Sequence, residues 1–155
     1  MIPSPPAQDV VFATTEFSAL GGELGDSNRL SQMKQLLGWC TNEASRDARR
    51  GGRDAKPLPV VICGSLHAEP ASEPLQCALR HSLRLADGAE DLPFTRWSRV
   101  KGVEVRECAD HCLFSRELLG LTAVLDAPEG VGATRLPSHA HPSDHIPVLS
   151  RFQVR

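Results

Sequence analysis

Leu58-Pro59-Val60-Val61-Ile62-Cys63, closed by Gly64, constrains the fold of this chain more than any other segment. A short apolar run rich in β-branched side chains and stopped by a glycine reads as a strand. Similar runs recur. Val10-Val11-Phe12-Ala13-Thr14-Thr15 reads as a buried strand, and Val103-Glu104-Val105-Arg106 alternates as a half-buried one does. Cys112-Leu113-Phe114 and Leu121-Thr122-Ala123-Val124-Leu125 add two more, and a last strand is expected from Ile146 to about Phe152. After the first strand, Leu20-Gly21-Gly22-Glu23-Leu24-Gly25 reads as a Gly-rich connection. Asp26 or Ser27 then caps a helix with Leu30, Met33, Leu36 and Leu37 at helical spacing. A second helix is expected near residues 72–83, opened by Pro70-Ala71-Ser72. Strands interleaved with one or two helices and long loops predict an α/β or α+β layered sandwich.

A length of 155 residues suits one domain with its own core. Residues 1–8 are Pro-rich and expected to be disordered, leaving 9–155 as the folded part. Residues 42–57, with Arg46, Arg49, Arg50 and Arg53, read as a solvated surface loop. The formal net charge of -2 gives no general attraction to polyanions, so a nucleic-acid contact needs a local basic patch. No apolar run after Met1 suits a signal peptide or a membrane span, and the scattered cysteines are odd in number. Reduced thiols in a cytoplasmic or nuclear compartment are therefore expected. Cys108 and Cys112 flank His111 but lack a second pair, so they read as small buried hydrophobes and not as a zinc half-site. Trp97 reads as a core residue, and His81 and His139 as surface residues.

Near the C-terminus, Ser143-Asp144-His145 lies between His141-Pro142 and the apolar Ile146-Pro147-Val148-Leu149. A carboxylate beside an imidazole at the mouth of a strand is suited to holding a divalent cation near a phosphate.

Four blocks together resemble the endonuclease/exonuclease/phosphatase superfamily, and within it the branch of nocturnin and the poly(A) deadenylases. Val10 to Phe17, with the helix after it, is similar to a strand ending in Thr-His-Leu. Pro59 to Pro70 resembles a strand ending in Gly-Asp-Phe-Asn. Trp97 to Ser115 resembles a stretch leading to Ile-Asp-Tyr-Ile-Phe-Tyr-Ser. Arg135-Leu136-Pro137-Ser138 followed by His141-Pro142-Ser143-Asp144-His145 is similar to Arg-Leu-Pro-Ser and Tyr-Pro-Ser-Asp-His. The resemblance implies a deoxyribonuclease-I-like four-layer αββα sandwich, of which this chain matches the C-terminal half only. The strand carrying the family's metal-ligating glutamate has no counterpart before Val10.

The resemblance assigns roles residue by residue. His145 matches the histidine that contacts the scissile phosphate, and Asp110 the aspartate that hydrogen-bonds it. Asp144 matches a carboxylate that helps place Mg²⁺. Three positions depart from the pattern. Ser65 stands where an aspartate activates water, His67 where an asparagine amide meets the phosphate, and Glu16 where a histidine does. Loss of a general base removes about 10²–10⁴-fold in rate. Glu16 puts a negative charge where the family offers a donor to an anionic phosphate. His67, Glu16, Asp144 and His145 also carry the donor types of a transition-metal site.

The resemblance thus implies a Mg²⁺-dependent phosphodiesterase or 3′-exonuclease, degenerate at its site, acting on an RNA 3′ end or a nucleotide phosphate. The alternative is a catalytically inactive remnant serving as a binding or scaffolding domain. Half a sandwich also leaves a sheet face to cover, so a partner chain or an upstream segment is expected.

Overall fold

The computed structural model describes residues 9–46, 56–125, 136–139 and 141–155. The N-terminal residues expected to be disordered, three of the four loop arginines, and Arg135 lie outside the described residues.

The central sheet has four strands in the order β1, β2, β6, β3: β1 (Val11–Glu16), β2 (Val60–Ser65), β6 (Asp110–Ser115) and β3 (Leu85–Asp87). β1 runs parallel to β2, and the other pairs are antiparallel. Because side chains alternate across a pleated strand, the register sorts them onto two faces. On one face Val60, Ile62 and Leu113 meet α1 (Gly22–Ala44) through Met33, Leu37 and Cys40, and α2 (Glu73–Leu79) through Leu75 and Ala78. The opposite face carries three rows. Phe12, Val61 and Phe114 form an apolar row, and Thr14, Cys63 and Cys112 the next. Glu16, Ser65 and Asp110 form a polar row at the end of the strands.

Two antiparallel two-stranded sheets complete the described fold. β4 (Arg96–Val100) pairs with β5 (Val103–Glu107), and β7 (Leu119–Leu125) with β8 (Leu149–Val154). The β4–β5 turn places Lys101 at φ 49° and Gly102 at φ 85°. Two successive positive φ values are the backbone of a type I′ turn, which follows the natural strand twist. β4 was not expected from the sequence, nor was the three-residue β3.

Three expected boundaries shift. α1 starts at Gly22, not after Asp26 or Ser27, because the buried Arg29 gathers the loop beneath it. Its guanidinium donates to the carbonyls of Ser18 (2.8 Å) and Leu20 (2.7 Å) and to Asp26 (2.7 Å), so Asp26 serves Arg29 and caps nothing. Gly25 is required here, since a Cβ would overlap the Leu20 carbonyl. α2 ends at Leu79, short of residue 83, where Arg84 at φ 53° turns the chain into β3. The last strand begins at Leu149, because Ile146 is drawn off to Thr95 and Pro147 offers no donor. Trp97 is buried as expected, under the Arg106 guanidinium at 4.0 Å from the ring centroid.

Candidate active-site cleft

The polar row of the sheet faces the loop before β8 across a cleft of about 470 Å³, lined among others by Ser65, Asp110, Ser143 and His145. Gly64 lets the sheet close beneath it. Its φ is 151°, and a side chain there would overlap the Thr15 carbonyl of β1. Only glycine accepts both conditions.

Backbone contacts to Thr95 and Trp97 hold the loop in place. Ile146 N–H donates to the Thr95 carbonyl (2.7 Å) and Trp97 N–H to the Asp144 carbonyl (2.9 Å). The Thr95 hydroxyl, almost fully buried, accepts from both Ala109 N–H (2.9 Å) and Asp110 N–H (2.8 Å). One residue therefore fixes the start of β6 and the loop opposite it. As a result His145 Nδ1 lies 2.8 Å from the Asp110 carboxylate.

Asp144 points elsewhere. Its carboxylate accepts from Arg96 Nε at 3.0 Å, and Arg96 also reaches Glu107 at 2.8 Å. His145 Nε2 stands 4.0 Å from the other Asp144 oxygen. Partial burial works against the charged Asp144, but the Arg96 hydrogen bond and charge outweigh it and hold the carboxyl below its usual range.

Ser65 Oγ lies 3.3 Å from His67 Nε2. His67 takes a left-handed backbone, φ 46°, a conformation in which Asn and His are both enriched among non-glycine residues. A histidine where the family resemblance expects an asparagine is thus compatible with the turn. Burial, and then the positive charge of Arg96, lower the His67 imidazole from its ordinary value. Glu16 is exposed beside Ser65 at the edge of the row.

Among the described residues, no three His, Cys, Asp or Glu side chains come together as metal ligands. Glu16, His67, Asp144 and His145 therefore do not form the transition-metal site that their donor types allow. Mg²⁺ asks for several oxygen ligands in octahedral array, and the one carboxylate assigned to it is engaged by a guanidinium. The described residues do not by themselves fit the ion. Cys108 and Cys112 likewise diverge: Cys108 Sγ approaches the Leu92 carbonyl (3.6 Å), whereas Cys112 meets Cys63.

Sequence reading missed Thr95, Arg96, and the buried pair of His111 Nδ1 with Asp87 at 2.6 Å. The alternation of Thr95-Arg96-Trp97-Ser98 before Lys101-Gly102 was the available signal for the first two. Asp87 carried none, because it lies far from His111 in sequence.

No family model matches the chain. Among curated proteins it is similar to nocturnin from Xenopus laevis, 31% identical over 155 residues, covering 94% of this chain and 37% of that protein. Rat nocturnin is 33% identical over 105 residues, covering 61% of this chain and 24% of the relative. The chain thus spans well under half the length of these relatives. Among solved structures, the human nocturnin catalytic domain with bound sulfate anion superposes with a TM-score of 0.69 at 24% identity, over 93% of this chain and 47% of that one. ANGEL2, a 2′,3′-cyclic phosphatase in complex with adenosine-2′,3′-vanadate, gives 0.67 at 18% identity, over 97% and 58%. The chain belongs to the endonuclease/exonuclease/phosphatase superfamily, as a nocturnin-like member. Among the described residues, its mixed sheet and two helices have the α/β character of that fold.

Proposed function

We propose that this chain is a degenerate nocturnin-like phosphodiesterase module, which recognises a nucleotide or RNA phosphate in the cleft and does not hydrolyse it unaided. The observation that carries this reading is the contrast across one row of the sheet. Asp110 engages His145 at 2.8 Å, while its cross-strand neighbour Ser65 offers only a hydroxyl. A positioned imidazole can donate to a phosphate oxygen, but a hydroxyl with no titratable charge near neutrality is a poor base for water. The Arg96–Asp144 pair points the same way, since it occupies the carboxylate that the family resemblance gives to Mg²⁺. Oxyanions bound by the nocturnin catalytic domain and by ANGEL2 support a phosphate ester as the ligand class.

His145 and Asp110 keep their assigned roles in this reading, whereas Asp144 is held by Arg96 in place of a metal ion. Ser65, His67 and Glu16 are the degenerate positions. A covering partner chain or segment belongs to the same reading, because Phe12 is 66% exposed on the cleft face of β1. No helix among the described residues is long and apolar enough to cross a membrane.

The test is fluorescence anisotropy of labelled oligo(A) against the wild-type chain and His145→Ala. Saturable binding that weakens by about tenfold or more in the variant is expected, the loss of one hydrogen bond to a charged group. Equal binding by both proteins rejects the assignment of the cleft.

A further inference from the structure

Directly behind the polar row lie two thiols. Cys63 of β2 and Cys112 of β6 are cross-strand partners, and Cys63 donates a hydrogen bond to Cys112 with the sulfurs 3.4 Å apart. Each is two residues from a member of the polar row, Cys63 from Ser65 and Cys112 from Asp110, and so shares its face. Both line the cleft, so a small solute that enters it reaches them. All five cysteines of the chain are free thiols, and the other three stand apart from this arrangement. Cys40 is buried in the helix-side core, Cys77 packs against that core, and Cys108 faces the Leu92 carbonyl.

We propose that Cys63 and Cys112 form a cross-strand dithiol, oxidised by a hydroperoxide to a disulfide in the floor of the cleft. Directly opposite residues in an antiparallel pair have Cα atoms about 4.5 or 5.5 Å apart, and a disulfide accepts either spacing. Bond formation asks the sulfurs to close from 3.4 Å to about 2.0 Å, a rotation of side chains and not a movement of strands.

The two thiols are chemically unequal. The hydrogen bond from Cys63 lowers Cys112 from the ordinary thiol value, and the same bond, with burial, raises Cys63. Burial raises Cys40 and Cys108. Cys112 is therefore the attacking sulfur. It takes the terminal peroxide oxygen, the O–O bond breaks, and Cys112 becomes a sulfenic acid as water or an alcohol leaves. Cys63 then attacks the sulfenyl sulfur, the S–O bond breaks, and water departs with the Cys63 proton. With hydrogen peroxide the sum is two thiols and one peroxide giving one disulfide and two waters.

This inference concerns thiol chemistry and does not rest on phosphate recognition, so each can fail without the other. The experiment treats the folded wild-type chain with hydrogen peroxide, then denatures it, alkylates the remaining thiols and digests it without reduction. Three of the five thiols should accept label, the peptides of Cys63 and Cys112 should appear joined, and dithiothreitol should restore all five. Cys63→Ala and Cys112→Ala should each abolish the joined peptide. The proposal is overturned if all five thiols survive a dose that oxidises the unfolded chain. It is equally overturned if the lost thiols map to Cys40, Cys77 or Cys108.

Discussion

Asp110 and His145, 35 positions apart in sequence, meet at 2.8 Å because one buried residue, Thr95, organises both sides of the contact. Thr95 accepts from the backbone at the head of β6, and its own carbonyl accepts from the residue after His145. The pair is thus a product of the residue that leads into β4, which is neither partner. Asp110→Asn keeps the shape but removes the charge that faces the imidazole. Oligo(A) affinity should fall in Asp110→Asn with little change in melting temperature, measured by anisotropy and thermal unfolding.

Thr95→Val tests the organising hydroxyl. Two N–H groups, one buried and one partly buried, lose their acceptor, and a buried unsatisfied donor costs about 1–3 kcal/mol. Urea unfolding should show a loss in that range or above it, while Thr95→Ser, which keeps the hydroxyl, should stay close to wild type.

Arg96 offers a cleaner separation of electrostatics from stability. Its ion pairs with Asp144 and Glu107 are partly exposed, and such pairs contribute about 0–1 kcal/mol. Arg96→Ala should therefore change stability little, yet the Asp144 carboxyl should titrate at higher pH in the variant, read by NMR. An unchanged titration would mean that another group holds Asp144 down.

The buried His111–Asp87 pair gives stability a pH dependence of known sign. Burial opposes the charged imidazole, but the Asp87 hydrogen bond and charge prevail, so His111 is raised from 6.5. The folded state binds the proton more tightly, and this contribution is complete below 6.5 and lost as pH rises through the folded value. His67, lowered instead, acts oppositely: below 6.5 the unfolded chain takes up its proton first, and stability falls. Urea midpoints should therefore decline on both sides of the region near 6.5. Asp87→Asn should remove the alkaline decline and cost about 3–5 kcal/mol, the range for breaking a buried pair.

The sequence displayed the strands with runs of β-branched residues and hid the rest for identifiable reasons. β2 was legible from Val60 to Cys63 because composition and a closing glycine agree. β4 was not, since Arg96, Ser98 and Arg99 make its polar positions resemble a loop and only the turn at Lys101-Gly102 marks it. The start of α1 was misplaced because a tertiary contact, Arg29 to the loop carbonyls, overrode the local capping signal at Asp26. The family resemblance singled out Asp110, Asp144 and His145 and paired Asp110 with His145, a contact the structure has at 2.8 Å, but it carried no sign of Arg96 beside Asp144. That Asp144 would be engaged by Arg96, and Cys112 by Cys63, depends on register between strands.

The central claim, recognition without unaided hydrolysis, is tested most directly by AMP release from oligo(A) in the presence of Mg²⁺. Wild type and His145→Ala should both remain at the background rate, although only the wild type binds the oligonucleotide well. Release of AMP by the wild-type chain that disappears in His145→Ala would contradict the account.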